Sequence, residues 1–239
     1  MSDLEYLKKY LSEDKLEEGI KRLESGEPVQ YIVGNVDFYG SIINVNKKVL
    51  IPRFETEQLI EKTLKYFENK RENIKIADLG TGSGCIAITL KKQLPNSIVD
   101  AVDISPSALE IAKNNARQNN TYVNFYHGNM LEPLKRKYHL IISNPPYIDK
   151  SEQIMDIVKN NEPELALYAD NEGLYYYEEI LKKASNYLED DFVIAFEIGY
   201  KQGQKIIALS KKYLPDALAS VEKDLSGKDR FVFITSKRF

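Results

Sequence analysis

The 239-residue chain is 43% hydrophobic and 29% charged, an ordinary globular balance that excludes a disordered or fibrous protein and suits one α/β core with an appendage. Lys and Arg total 33 against 36 Asp and Glu; the residues before Val29 hold 8 of the acids and 5 of the bases, which leaves a neutral body with 28 of each. Such a body lacks the electropositive track with which a duplex-DNA binder neutralises phosphates, and a single cysteine, Cys85, excludes an internal disulfide and a cysteine zinc cluster.

Met1-Ser2-Asp3-Leu4-Glu5 lacks the basic start of a secretory signal, and no apolar run is long enough to cross a bilayer, so a reducing cytoplasm is the expected setting. Only His127 and His139 carry imidazoles, and no metal is expected. Both histidines flank strands and read as structural.

From the start, Leu4, Leu7 and Leu11 and then Leu16, Ile20 and Leu23 keep a helical period that breaks at Ser12-Glu13-Asp14, which predicts two short helices over 3–24. After Gly26-Glu27-Pro28, residues 29–33, 36–38 and 42–45 read as the strands of a β-hairpin turning near Gly40. Pro52 stops the extended run, and Ile60, Leu64 and Phe67 mark one face of a helix from about Glu55. Beyond Ile74 the pattern alternates. Strands are expected at 74–79, 98–104, 123–126, 140–143 and 192–196, with helices near 84–94, 106–118 and 174–188. Ser105-Pro106 opens the second of these helices as cap and first-turn proline. Alternation of this kind predicts a doubly wound, mostly parallel α/β sheet with helices on both faces. Residues 217–222 and 231–235 flank Ser226-Gly227-Lys228-Asp229 and predict a closing antiparallel hairpin. Lys237-Arg238 reads as a solvated tail.

Asp78-Leu79-Gly80-Thr81-Gly82-Ser83-Gly84 falls where the first strand of the alternating region passes into a helix. Glycines there permit a tight turn and let a ligand lie against bare backbone at the helix start. Asp103, at the end of the next strand, is placed to accept hydrogen bonds from both hydroxyls of a ribose, so turn and acid together point to a nucleoside cofactor. The turn has no lysine, as a phosphate loop requires, and its glycine spacing is not Gly-x-Gly-x-x-Gly. Cys85, just after it, reads as a small buried side chain.

Asn144-Pro145-Pro146-Tyr147 follows the strand at 140–143 and projects into the same crevice. The Asn144 side-chain oxygen and the Pro145 carbonyl can each accept from one hydrogen of a planar NH2 group, with the Tyr147 face beside it. An amide or aniline-like nitrogen is a poor nucleophile because its lone pair is delocalised. Such a clamp would align it with an electrophilic methyl group, with no general base needed.

The form acidic-x-Gly-x-Gly-x-Gly resembles the class I S-adenosylmethionine-dependent methyltransferases. Asn-Pro-Pro-Tyr is shared by adenine-N6 DNA methyltransferases and protein glutamine methyltransferases. Gly26-Glu27-Pro28-Val29-Gln30-Tyr31-Ile32, Leu50-Ile51-Pro52-Arg53-Phe54-Glu55-Thr56-Glu57, Glu162-Pro163-Glu164-Leu165-Ala166-Leu167 and Asp224-Leu225-Ser226-Gly227-Lys228-Asp229-Arg230 resemble the HemK/PrmC family of peptide-chain release factor N5-glutamine methyltransferases.

The resemblance implies S-adenosyl-L-methionine as methyl donor, with S-adenosyl-L-homocysteine as product. It implies that Asp78, Gly80, Thr81, Gly82, Ser83, Gly84, Asp103, Met130 and Asn144 bind the cofactor. Asn144, Pro145, Pro146 and Tyr147 would hold the target glutamine, with Asn144, Pro145 and Tyr147 the catalytic group. After Gly128, in the segment placed around the adenine, Asn129 stands where the family has an acidic residue. Arg53-Phe54-Glu55-Thr56 either closes over the cofactor or simply joins hairpin to helix.

The expected partners are class I release factors, with the glutamine of their Gly-Gly-Gln loop as the target. No nucleic acid or membrane is involved in this reading, and the protein is a monomer. The expected organisation is a short helical segment at 1–27, a hairpin connector at 28–53 and the methyltransferase domain at 54–239. Only about 25 residues precede the Gly-Glu-Pro segment, where family members carry a helical bundle, so a reduced docking surface is expected. Two rival readings are an adenine-N6 nucleic-acid methyltransferase, for whose target-recognition region there is no room, and a non-enzymatic cofactor-binding regulator, which has no need of the nitrogen clamp.

Overall fold

The computed structural model describes residues 2–68 and 73–237; Met1, and Arg238 of the expected tail, lie outside the described residues. Asp3–Tyr10 (α1) and Glu13–Glu24 (α2) are the two expected amino-terminal helices. A reciprocal box starts α1: Ser2 Oγ accepts from the Glu5 N–H, and the Ser2 N–H donates to the Glu5 carboxylate.

Residues 29–33 are not a strand. They form a short helix, α3 (Val29–Val33), closed by Gly34 at φ +87°. The reason is burial in two directions. Val29 and Ile32, three apart, pack with Leu7 of α1, while Tyr31 enters the main core and donates from its hydroxyl to the Val49 carbonyl at 2.6 Å. A strand would put Val29 and Tyr31 on one face and defeat both contacts. The hairpin proper is Asn35–Phe38 (β1) and Ser41–Asn44 (β2), turned through Tyr39-Gly40 with φ of 51° and 71°, the mirror-image turn that matches strand twist.

Phe54–Lys65 (α4) leads to the alternating region: Lys75–Leu79 (β3), Cys85–Gln93 (α5), Ile98–Asp103 (β4), Pro106–Gln118 (α6), Asn124–His127 (β5) and Tyr138–Ser143 (β6). Ser105 caps α6 by accepting from the Ala108 N–H, with Pro106 in its first turn. Ile148–Asp149 (β7), Asp156–Asn161 (α7), a single turn at Glu164–Ala166 and Tyr168–Ala169 (β8) follow, none of them anticipated. Then come Tyr175–Ala184 (α8), Leu188–Glu197 (β9), Gly203–Tyr213 (α9, also not anticipated), Leu218–Lys223 (β10) and Asp229–Thr235 (β11). Helix α8 stops four residues short of the expected 188. Tyr187 bonds back to Ala184 and offers its own carbonyl to the Tyr138 N–H at 2.7 Å, which draws Leu188 into the sheet opposite Tyr138.

The seven-stranded sheet runs β10-β11-β9-β6-β3-β4-β5. Strands β5, β4, β3, β6 and β9 are parallel, and the closing hairpin β10–β11 joins β9 antiparallel, as expected. Alternate residues feed two cores, with Ile76 in one and Ala77 and Leu79 in the other, so both faces are covered. Asn115 on α6 ties the amino-terminal hairpin to this body. Its Nδ2 donates to the carbonyls of Asn44 (3.0 Å) and Ser83 (2.9 Å), and its Oδ1 accepts from the Asn44 N–H. Among the described residues no helix is long and apolar enough to cross a membrane.

Candidate functional site

Strand order reverses between β3 and β6, and at that switch the carboxyl ends of β3, β4 and β6 open into a cleft. It is lined by Gly80 to Ser83, Asp103, Met130, Asn144 and Pro146, so the glycine turn and the head of the Asn-Pro-Pro-Tyr segment share one crevice. Asp78, Gly84, Pro145 and Tyr147 are not in its wall.

The turn is built for close approach. Gly80 and Gly82 have φ of +69° and +55°, and a Cβ at either would stand in open space. Gly84 serves packing instead: a Cβ there would come within 3.1 Å of the Ala112 side chain on α6. Asp103 closes the other side. One carboxylate oxygen accepts from the Gly82 N–H and the other from the Ser105 N–H, both at 2.8 Å, and burial raises its pKa. The bare turn and the facing carboxylate fit the sugar of a nucleoside, and Ile104, Ala108 and Met130 supply an apolar wall beside them. Met130 holds φ +47°, a strained value for a non-glycine residue that turns the chain at the cleft edge.

Asp78 lies beneath the turn. Its Oδ2 accepts from the Thr81 hydroxyl and the Ala87 N–H, its Oδ1 is buried without a partner, and burial pushes its pKa to about 7. An orphaned acidic oxygen under a glycine cradle fits a cofactor carrying positive charge or N–H donors. It also has a cost. The folded protein holds a proton on Asp78 between its ordinary value of 3.8 and about 7, where the unfolded chain has lost it. Stability from this group is therefore present below the unfolded value and is lost as pH rises towards 7. We expect Asp78→Asn to raise the stability of the ligand-free protein at about pH 8 by on the order of 2 kcal/mol while changing it little near pH 4. Urea midpoints that shift equally at both pH values would contradict this.

The opposite wall is strapped by a half-buried ion pair. Arg53, at the start of α4, binds the carboxylate of Glu162, whose other oxygen accepts from the Ile51 N–H at 3.2 Å, so the segments around 48–53 and 163–166 meet across the mouth. Asn144 donates from Nδ2 to Thr56 Oγ1 at 3.2 Å, and Thr56 donates to Glu197 Oε2 at 2.7 Å. Glu197 is buried at the end of β9, and burial raises it to about 7. Pro145 is buried, and Tyr147 is half-buried against the second core, with its hydroxyl pKa raised by burial. Gln202 fixes the Tyr147 backbone by donating to its carbonyl at 2.9 Å, a second donation going to Glu172.

Glu197, Gln202 and Asn115 were not singled out from the sequence, and Glu162, though part of a family-like segment, was given no role. Glu197 carried a usable signal: an acid ending an apolar strand, as Asp103 does. The others are defined chiefly by partners 30 or more residues away. His127 bonds the Ile104 carbonyl, His139 accepts from the Lys75 N–H, and the Cys85 thiol is pushed up to about 12 by burial, which leaves it inert.

Residues 56–163 match the model of the Methyltransferase small domain. A release factor glutamine methyltransferase of Lactococcus lactis subsp. lactis is 43% identical over 92% of this chain and 81% of its own length. One from Staphylococcus aureus is 40% identical over 91% of this chain and 79% of its own. Among solved structures, the release-factor-specific protein-(glutamine-N5) methyltransferase of Alicyclobacillus acidocaldarius superposes with a TM-score of 0.52 at 25% identity, covering 81% of this chain and 98% of that one. A T. thermophilus 16S rRNA methyltransferase solved with AdoMet and guanosine shares the fold at a TM-score of 0.62 and 14% identity, over 85% of this chain and 50% of that one.

Proposed function

The chain belongs to the release factor glutamine methyltransferases, and from that premise we propose that it moves a methyl group from S-adenosylmethionine to the side-chain nitrogen (N5) of the glutamine in the Gly-Gly-Gln loop of class I peptide-chain release factors. The observation that carries the reading is the shared crevice: a nucleoside cradle (Gly80, Gly82, Asp103) and a fixed amide (Asn144) line one cleft.

Asp103 would hold the ribose, Met130 the adenine, and Gly80 to Ser83, with Asp78 beneath them, the methionine end. The cofactor supplies an electrophilic methyl group on a sulfonium. Asn144 Oδ1 and the Pro145 carbonyl accept the two N–H groups of the glutamine amide, which orients the nitrogen and draws density onto it. Pro146 and the Tyr147 ring shape the entry, and two glycines before the target let a narrow backbone reach in. The amide proton leaves after attack, when the nitrogen is cationic and strongly acidic, so no buried base is required. We place the enzyme in the cytoplasm as a monomer, with neither metal nor nucleic acid taking part.

Incubation with methyl donor and separate pools of release factor and duplex DNA tests this. Mass spectrometry should find one added methyl on the Gly-Gly-Gln glutamine and none on adenine. Because the body is neutral, transfer should persist at moderate salt, whereas phosphate-gripping enzymes lose affinity steeply. Methylated adenine with untouched glutamine would overturn the substrate.

A further inference from the structure

The reaction needs Asn144 in one of its two amide orientations, because only the carbonyl oxygen can accept from a substrate NH2 group. A side-chain amide is nearly symmetric in shape, so packing alone selects weakly between the two. The residues behind Asn144 break that symmetry. Thr56, in the first turn of α4, and Glu197, at the end of β9, are both 2% exposed and form one line with it. Glu197 Oε2 takes the single Thr56 hydroxyl proton at 2.7 Å, which leaves Thr56 Oγ1 only lone pairs to present, and Asn144 Nδ2 donates to these at 3.2 Å. A flipped amide would set oxygen against oxygen.

We infer that Glu197 and Thr56 are positioning residues, a polarity relay that turns the Asn144 amide so that Oδ1 is left for the substrate nitrogen. The inference rests on the glutamine-methylating reading of the cleft. It also explains a choice within the site. Aspartate at 144 could accept an N–H as well as asparagine does. Yet with Glu197 ionised, the one Thr56 proton cannot serve two buried carboxylates. The relay therefore selects asparagine over aspartate at the head of the clamp. Reversing its far end should reverse the choice, because glutamine at 197 can donate to Thr56, freeing the hydroxyl proton for an aspartate at 144. Arg53, Glu55 and Arg230 are the charged groups that act on Glu197, and none of them is altered by this exchange.

The test is a set of variants assayed with release factor at about pH 8, above the value near 7 to which burial raises Glu197. Thr56→Val should lower kcat about tenfold, with cofactor affinity by calorimetry changed far less although Thr56 lines the cleft, and Thr56→Ser should recover most of the loss. Asn144→Asp should lower kcat by about tenfold or more, and adding Glu197→Gln should restore at least about fivefold of it. A merely structural Glu197 predicts the opposite, losses that add. No product from the unaltered protein would end the glutamine reading and the relay together. Product from the unaltered protein, with additive losses in the double variant, would end the relay alone. Cofactor binding by each variant reports that it is folded.

Discussion

Replacing Asn144 by alanine is expected to lower kcat for glutamine methylation about a hundredfold, the scale of removing one preorganised partner of the reacting group. The amide nitrogen of glutamine has almost no free lone-pair character, so the rate depends on how well its N–H bonds are held and its orbital aimed. Alanine removes one of the two proposed acceptors and leaves the Thr56 hydroxyl facing a void. The backbone should not follow. Pro145 is buried, Ser143 Oγ donates to the Leu79 carbonyl at 2.7 Å, and Gln202 holds the Tyr147 carbonyl, so the segment is fixed at both ends without Asn144. The melting midpoint should therefore move by no more than about 4 °C. Cofactor affinity should change far less than kcat, because Asp103 bonds the glycine turn and Ser105 while Asn144 bonds Thr56, so the cradle keeps its own hydrogen bonds. Turnover within a factor of about three of the unaltered protein would defeat the clamp.

What the sequence made legible divides by range. Period and punctuation located the sheet strands to within a few residues, because an apolar run between Gly, Pro and Ser signals is a local property. Gly80 to Gly84 and Asp103 were readable for the same reason, since a strand-to-helix turn and the next strand end are fixed distances apart in an α/β unit. The reading failed where partners were remote. Residues 29–33 have β-branched side chains and look like strand, but contacts with Leu7 on one side and Val49 on the other select a helix. The helix expected to run to Leu188 was cut at Ala184 because strand β6, some 50 residues earlier, claims the following residues. The strap formed by Arg53 with Glu162 and the line from Glu197 to Asn144 join elements more than 80 residues apart, and no local pattern encodes such pairings. Tyr147 is read from a local signal, an aromatic after two prolines, and its ring also packs partly against the second core.

Replacing Asp103 by alanine is expected to weaken S-adenosylmethionine binding by about 1.5–3 kcal/mol, or roughly ten- to 150-fold in Kd. A ribose contact alone would account for the lower end. The structure adds a second contribution, because both oxygens already accept backbone N–H groups, from Gly82 and from Ser105, and thereby clamp the glycine turn to the start of α6. Alanine leaves both donors without their partner, so the turn must be re-ordered by the ligand, and that cost appears as lost affinity. The substitution Asp103→Asn separates the two contributions. One amide oxygen can keep the Gly82 bond, but the NH2 group faces the Ser105 N–H, donor against donor, and the negative charge is gone. Its calorimetric affinity should therefore fall between those of the unaltered protein and Asp103→Ala. The loss should lie in cofactor binding, with kcat at saturating cofactor nearly kept, since the Asp103 carboxylate is engaged with Gly82 and Ser105 and Asn144 with Thr56. An unchanged Kd in Asp103→Ala would remove this carboxylate from the cofactor site, and a collapse of kcat with Kd intact would assign it to the chemistry instead.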